Sequence, residues 1–375
     1  MTGVAVHNGS ATDVNVHIGV TGHVVNPETP KGRAPSIRDV ARLAEVSHQT
    51  VSRVLNGHAS IRPETKQRVL EAMETLQYRP NRAARALVTS RSHVIGVLAS
   101  MSAEYGPATS IASIEDAARE HGYYVNTANL SDTSPSGIVD ALEHLLSQAI
   151  EGLVVIAPQE RVFEVLAASP IGVPFVSLQS TGRSDHLALS VDQVTGARRA
   201  TQHLVGLGHR EIVHVAGPQD WIEAEARMRG FLDAIDDADL ALHSPILGDW
   251  TADFGYYAGR ELARHLDFTA VFAANDQMAI GLMHAFRDAG LDVPADVSVV
   301  GFDDIPVAQH VWPPLTTMHQ DFHEIGRRAV ALLLNQAHGR EVLEVEEIVP
   351  RLIVRGSSAE ASGRRPRYAS VTGSA

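Results

Sequence analysis

Between residues 36 and 76 apolar positions recur at helical spacing in three short blocks. Ile37, Val40, Ala41 and Ala44 form one stripe, opened by Ser36 with Asp39 three residues on, a capping-box pattern with Asp in place of Glu. Val51, Val54 and Leu55 form a second, with Ser47 placed to cap it and Asn56-Gly57 to end it. Val69, Ala72, Met73 and Leu76 form a third behind Pro63, whose fixed φ suits a first helical position, and Tyr78-Arg-Pro-Asn81 breaks it. After Ser92 the texture changes. Short β-branched runs (94–98, 123–127, 153–156, 175–178, 212–215, 270–273 and 297–300) alternate with amphipathic stretches (111–121, 138–148, 197–207, 224–235, 258–266 and 278–288). That alternation predicts parallel sheets built of βαβ units, and so many elements over about 250 residues predict two similar α/β lobes rather than one open sheet. Residues 1–33 show neither period and close on Pro27, Pro30 and Gly32, the pattern of a disordered extension.

Charge refines this division. The 375 residues carry a formal net charge of −13, which alone argues against a nucleic-acid partner. Residues 31–91, however, hold twelve Lys and Arg against five acids, a balance of +7, while residues 92–375 hold 19 against 37, a balance of −18. A compact basic module therefore precedes a large acidic one. The absence of Cys excludes disulfides, thiolate metal sites and cysteine nucleophiles. No stretch approaches the roughly 18 apolar residues of a membrane span, and the first 30 residues lack a positive n-region, so a cytoplasmic protein without membrane contact is expected.

Two short helices joined by a tight turn, with a basic third, describe a helix-turn-helix whose second helix enters a major groove. His48 and Gln49 begin that helix, where base edges are read. Gln pairs bidentately with adenine, Arg53 one turn on reaches guanine, and Thr50 and Ser52 suit phosphates. A small solvated helical bundle is the alternative reading of the same composition. The run Ser36-Ile-Arg-Asp-Val-Ala-Arg-Leu-Ala-Glu-Val-Ser-His-Gln-Thr-Val-Ser-Arg-Val-Leu-Asn56, with Thr65 to Leu76 and Tyr78-Arg-Pro-Asn-Arg-Ala-Ala-Arg-Ala-Leu87, closely resembles the headpiece of the LacI/GalR repressor family. The resemblance implies a homodimer on a near-palindromic operator. It assigns Ser36, Ser47, His48, Gln49, Thr50, Ser52, Arg53, Asn56, Asn81, Arg82, Ala84 and Leu87 to DNA contact, the stretch from Arg82 as a hinge helix and Leu87 as its minor-groove wedge.

The expected fold is thus α plus α/β. A disordered extension (1–33), a helix-turn-helix headpiece (34–80) and a hinge helix with linker (81–91) precede a two-lobed, periplasmic-binding-protein-like core (92–356) and a disordered tail (357–375). Ligands of open α/β sheets bind beyond the carboxyl ends of strands, where Ser100, Glu160, Asp249-Trp250, Asn275-Asp276 and Asp303-Asp304 fall, and Arg227 follows the strand 212–215. A guanidinium clamps adjacent hydroxyls and Trp250 offers a ring face. Taken singly, an Asp after a strand is more often a helix cap, and a Trp more often core.

The resemblance extends over residues 36–356. Gly248-Asp-Trp-Thr-Ala252, Ala274-Asn-Asp-Gln-Met-Ala279, Val297-Ser-Val-Val-Gly-Phe-Asp-Asp304 and Pro313-Pro-Leu-Thr-Thr-Met-His-Gln-Asp-Phe322 look like the lactose-repressor branch. It implies that Arg227, Asn275 and Asp303 hold sugar hydroxyls, Trp250 and Phe322 line the apolar side, Gln320 adds a polar contact, and Ser100 and Pro107 border the first lobe. Glu160 stands where the branch has Asp, Glu104 where it has an apolar residue, and Trp221 is an extra aromatic. The implied effector is a sugar, galactoside-like and acting as inducer, which shifts the population between two lobe arrangements.

An enzyme reading would rest on the 19 His and many Asp, but no His-Glu-x-x-His, Gly-x-Ser-x-Gly, Walker or Rossmann pattern is present. His203, His209 and His214 point in different directions, so neither metal nor cofactor is expected. A sugar-binding protein without DNA activity is the other class, and the basic headpiece argues against it. Residues 356–375 lack the leucine heptad of a tetramer, so a dimer is expected.

Overall fold

The computed structural model describes residues 34–55, 58, 60–79, 91–100, 103–179, 187–265, 267–340 and 346–362. The chain divides into two compact units, Met1–Arg82 and Ala83–Ala375. The expected extension 1–33, the hinge stretch with Asn81, Arg82, Ala84 and Leu87, residue Asn56 and the tail beyond 362 lie outside the described residues.

The first unit is built as the apolar stripes require. Helices α1 (Ile37–Leu43), α2 (His48–Leu55) and α3 (Pro63–Thr75) bury Val40, Ala41, Ala44, Val51, Val54, Val69 and Ala72 against one another. The Asp39 carboxylate accepts the Ser36 N–H at 2.9 Å and its hydroxyl at 2.7 Å, which holds the start of α1. Ser47 caps α2 by accepting the Thr50 N–H at 3.1 Å.

The second unit contains two sheets. In the first lobe β1 (Val94–Ser100), β2 (Tyr124–Leu130), β3 (Gly152–Ile156), β4 (Phe175–Ser177) and β5 (Leu187–Ala188) lie in the order β2-β1-β3-β4-β5, all parallel. Helices α4 (Tyr105–Glu120), α5 (Pro135–Ser147), α6 (Glu160–Ala167) and the late α11 (Phe322–Ala337) cover it. In the second lobe β6 (Ile212–Ala216), β7 (Ile246–Leu247), β8 (Ala270–Ala273), β9 (Ser298–Asp303), β10 (Thr316–His319) and β11 (Arg351–Ile353) lie in the order β11-β10-β9-β8-β6-β7, with only β11 antiparallel. Helices α7 (Gln193–Gly206), α8 (Ile222–Asp237), α9 (Ala252–His265) and α10 (Asp276–Asp288) complete that lobe. Strands β3, β6, β8 and β9 are buried along their whole length, as parallel strands sandwiched between helices must be. Helices α9 and α10 approach closely because Gly281 carries no Cβ, which would stand 2.0 Å from the Ala252 carbonyl oxygen.

The chain passes between lobes near Asp192, near Gln320 and near Ile348. The first and third passages run side by side: Asp192 N–H donates to Ile348 O at 3.0 Å, and Ile348 N–H to Ser190 O at 2.9 Å. His214 on β6 is fully buried, stacked between Phe231 and Phe272, with Nδ1 at 2.9 Å from Phe272 O, and burial pushes its pKa down to about 4. His203 and His209 meet separate partners, Ser358 and Thr269. Among the described residues no helix is long and apolar enough to cross a membrane, and no cluster of His, Asp and Glu could hold a metal.

The structure corrects the boundary expected at residue 356. Ser357 is fully buried; its hydroxyl donates to Val299 O at 2.6 Å and accepts the Thr316 N–H at 2.8 Å, and Ala361 N–H donates to Leu207 O at 2.8 Å. Small polar residues look like a tail in sequence, yet here their hydroxyls and backbone satisfy groups at the end of the second sheet. Ser357→Ala should leave that buried Thr316 N–H without its acceptor and lower the stability of the second unit by about 1–3 kcal/mol, measured by urea unfolding.

Candidate functional site

Two surfaces carry the residues singled out from sequence. On α2, His48, Gln49 and Arg53 are exposed and Thr50 and Ser52 half-buried, on the side opposite the core-facing Val51 and Val54. Amphipathicity thus presents the expected base-reading side chains outward together. Ser36 and Ser47 serve as the caps already described.

The second surface is a cleft of about 300 Å³ between the two lobes, bordered by the carboxyl ends of strands and by the passages between lobes. It brings together Pro107, Arg227, Trp250, Asn275, Asp303, Gln320 and Phe322, and also Glu104 and Trp221. A ring of polar side chains forms its floor. Arg227 Nε donates to Gln193 Oε1 at 2.9 Å, Gln193 Nε2 to Gln320 Oε1 at 2.9 Å, and Gln320 Nε2 to Asp303 Oδ1 at 2.7 Å; the same oxygen lies 3.5 Å from Arg227 Nη2. Closure of the ring fixes both amide orientations. Arg227 also donates to the Ala274 carbonyl and lies 4.0 Å over the Phe302 ring and 5.5 Å from the Trp250 ring. Burial pushes the Asp303 carboxyl up to about 6 against the pull of Arg227 and Gln320, and burial lowers Arg227 against the pull of Asp303.

The backbone is held in costly conformations here. Trp250 (φ 74°), Asp303 (φ 110°) and Asp304 (φ 57°) all take positive φ, each worth on the order of 1–3 kcal/mol for a non-Gly residue, and strain of this kind gathers at ligand sites. Asn275 locks one of them. Its Nδ2 donates to the Trp250 carbonyl at 2.9 Å and its Oδ1 caps α10 through the Met278 N–H at 2.9 Å. Two aromatic pairs face the cavity: Trp221 with Trp250 at 5.2 Å and Tyr105 with Phe322 at 5.7 Å, both edge-on.

Five sequence candidates fall elsewhere. Ser100 is buried behind the cleft wall, its hydroxyl donating to Gln159 Oε1 at 2.6 Å. Glu160 is exposed at the start of α6, because that helix begins one residue after Gln159 turns inward. Asp249 closes an exposed turn onto Thr251, Asp276 is buried against Thr317 and the Ile305 N–H, and Asp304 pairs with Arg355 at 2.6 Å and His319 at 3.0 Å. Sequence reasoning missed Gln193, Gln179, Tyr105 and Glu223, which line the cleft. Gln193 follows the helix cap Asp192, and that cap was the available signal.

Residues 36–81 match the model of bacterial regulatory proteins of the lacI family, and residues 201–358 that of the periplasmic binding protein-like domain. A DNA-binding headpiece joined to a sensor core of that kind defines a transcriptional regulator. The chain is 33% identical to the lactose operon repressor of Escherichia coli (strain K12), over 85% of its own length and 89% of that repressor's. It is 34% identical to the HTH-type transcriptional regulator CelR of Thermobifida fusca, over 87% of its length and 98% of CelR's. Among solved structures, the lac repressor dimer bound to operator and the anti-inducer ONPF superposes with a TM-score of 0.80 at 32% identity, covering 87% of this chain and all of that one. A CelR–cellobiose complex superposes with a TM-score of 0.64 at 32% identity, covering 86% of this chain and all of that one. The chain belongs to the lacI family of bacterial regulatory proteins, and it is a DNA-binding regulator rather than an enzyme.

Proposed function

We propose that the chain represses sugar-utilisation genes as a cytoplasmic homodimer on a near-palindromic operator, and that a saccharide bound in the cleft of the second unit releases it. The ring of Arg227, Gln193, Gln320 and Asp303 carries this reading: it fixes donors and acceptors a few ångströms apart on a buried floor, as paired hydroxyls need, with aromatic rings beside it for a sugar face. In this reading Arg227 and Asp303 hold hydroxyls, Asn275 positions the Trp250 loop as well as bordering the ligand, Trp250 and Phe322 take the apolar face, and Gln320 and Pro107 complete the wall. Galactosides are the first candidates, and the likeness to a CelR that binds cellobiose adds β-glucosides. Operator affinity measured by fluorescence anisotropy against a saccharide series tests it. Weakening of the complex by a saccharide is the expected result, and a sugar that tightens it would make the ligand a co-repressor instead.

Direct readout by α2 has its own check. Gln49→Ala should weaken specific operator binding by about 1–3 kcal/mol while leaving affinity for a random duplex at the same salt nearly unchanged. Equal losses on both duplexes would place Gln49 among phosphate contacts.

A further inference from the structure

Charge in the cleft does not balance. Glu104 from the first lobe and Glu223 and Asp303 from the second line one cavity of about 300 Å³. Of the two arginines in the lining, Arg227 is engaged by Asp303, Gln193 and the Ala274 carbonyl, and Arg229 is exposed. Among the other acids of the lining, Asp192 caps α7, Glu347 accepts the Ser190 hydroxyl and Glu225 is exposed.

The Oε2 of Glu223 is out of contact with solvent and meets no donor among the described residues, and the indole N–H of Trp250, a residue only 5% exposed, meets no acceptor among them. Among the described residues, two buried polar atoms of the cleft wall therefore have no partner. The carboxyls of Glu104 and Glu223 both act on Asp303. Burial first and then Asp249 raise the Glu104 pKa, burial raises that of Glu223 against the pull of its own N–H, Arg227 and Gln179, and Glu104 and Glu223 both contribute to the rise at Asp303.

Water can screen these charges only while the lobes stand apart. In this structure they touch, the Ile222 N–H donating to Pro158 O at 2.9 Å across the cleft. A neutral saccharide brings hydroxyl donors to the carboxylates but leaves their charge buried, whereas an ammonium group brings donors and the opposing charge at once. The neighbouring aromatic pairs also favour a cation over a neutral group.

We propose that the saccharide taken by this cleft carries a basic amine, gripped by Glu223 from one lobe and Glu104 from the other, so that an amino sugar is preferred to its neutral parent. This rests on the saccharide reading given above. The test is calorimetry on the full-length protein with matched series: galactosamine, galactose and N-acetylgalactosamine, then glucosamine, glucose and N-acetylglucosamine, and the β-linked disaccharides of glucosamine and of glucose. In at least one series the amine should bind at least tenfold more tightly than both its neutral parent and its N-acetyl form, a difference of about 1.4 kcal/mol. Glu223→Gln and Glu104→Gln should each cut that amine-to-neutral ratio severalfold, with thermal unfolding and operator binding confirming that the variants fold. Neutral sugars binding as tightly as the amines, or a ratio that neither variant moves, would overturn the amine and leave the saccharide reading standing. Binding of no saccharide in any series would overturn both.

Discussion

Arg227→Ala should lower the stability of the second unit by about 3–5 kcal/mol, the usual cost of removing one partner from a buried ion pair. Three losses coincide at this position. Asp303 loses its countercharge, Gln193 Oε1 and the Ala274 carbonyl lose their donor, and the gap over Phe302 opens next to Trp250. Protonation of Asp303 limits the damage, since its pKa already lies near 6 with the arginine present and rises further without it. The deficit should accordingly be smaller at pH 5.5 than at pH 8. Urea unfolding at both pH values, followed by tryptophan fluorescence, measures it, and a loss below about 1 kcal/mol at pH 8 would show that the ring does not depend on its guanidinium. Arg227→Lys keeps the charge but cannot span Gln193, Ala274 and Asp303 together, so it should recover only part of the loss. Both variants should bind the effector at least tenfold more weakly, each charged hydrogen bond being worth about 1.5–3 kcal/mol.

The second large effect concerns pH. His214 has a folded pKa of about 4 against an ordinary 6.5, because its ring is sealed between Phe231 and Phe272. A base whose pKa is depressed by folding contributes stability that is present above 6.5 and lost as pH falls toward and through 4. Each pH unit between those two values is worth about 1.36 kcal/mol, so the loss comes to about 3 kcal/mol by pH 4. His214→Phe keeps an aromatic ring in the stack and removes the titration, at the cost of one hydrogen bond to Phe272 O worth about 1 kcal/mol. Between pH 6.5 and 4 the stability of the variant relative to the parent should therefore climb by about 3 kcal/mol. Carboxyls and the other histidines titrate in both proteins, so the difference isolates His214. Parallel stability curves for the two proteins would refute its role.

Helical stripes and β-branched runs were legible because burial on one face or two writes a period into the sequence. The seven strands read that way are all present, whereas β5 and β7 have two residues each and are too short to show a period. Strand β10 is Thr-Thr-Met-His, and its buried threonines are satisfied by side chains distant in sequence, Thr317 by Asp276. Helices α4 and α9 begin six residues before the apolar stripes that announced them, at Tyr105 and Ala252, since their first turns lie toward the cleft or its rim. For the site, Arg227, Trp250 and Asp303 could be placed from strand ends and resemblance alone. Gln193 and Glu223 could not, because their importance comes from partners in other lobes and passages. Ser100 shows the converse, a residue at the right strand end whose hydroxyl is consumed by Gln159.

The ring also sits at an unusual place for the release proposed above. Gln193 and Gln320 stand beside two of the three passages about which any rotation of one lobe against the other would turn, so they would lie close to the pivot, while Glu104 and Trp221 line the cleft from opposite lobes. Rotation displaces a group in proportion to its distance from the axis, so contacts at the pivot keep nearly the same geometry open or shut. Such contacts add affinity to both states alike and leave the switch where it was. Groups far from the axis change distance most. If the proposed release turns on that rotation, tightness of binding and strength of response would be set by different side chains, and substitutions would tune one with little change in the other.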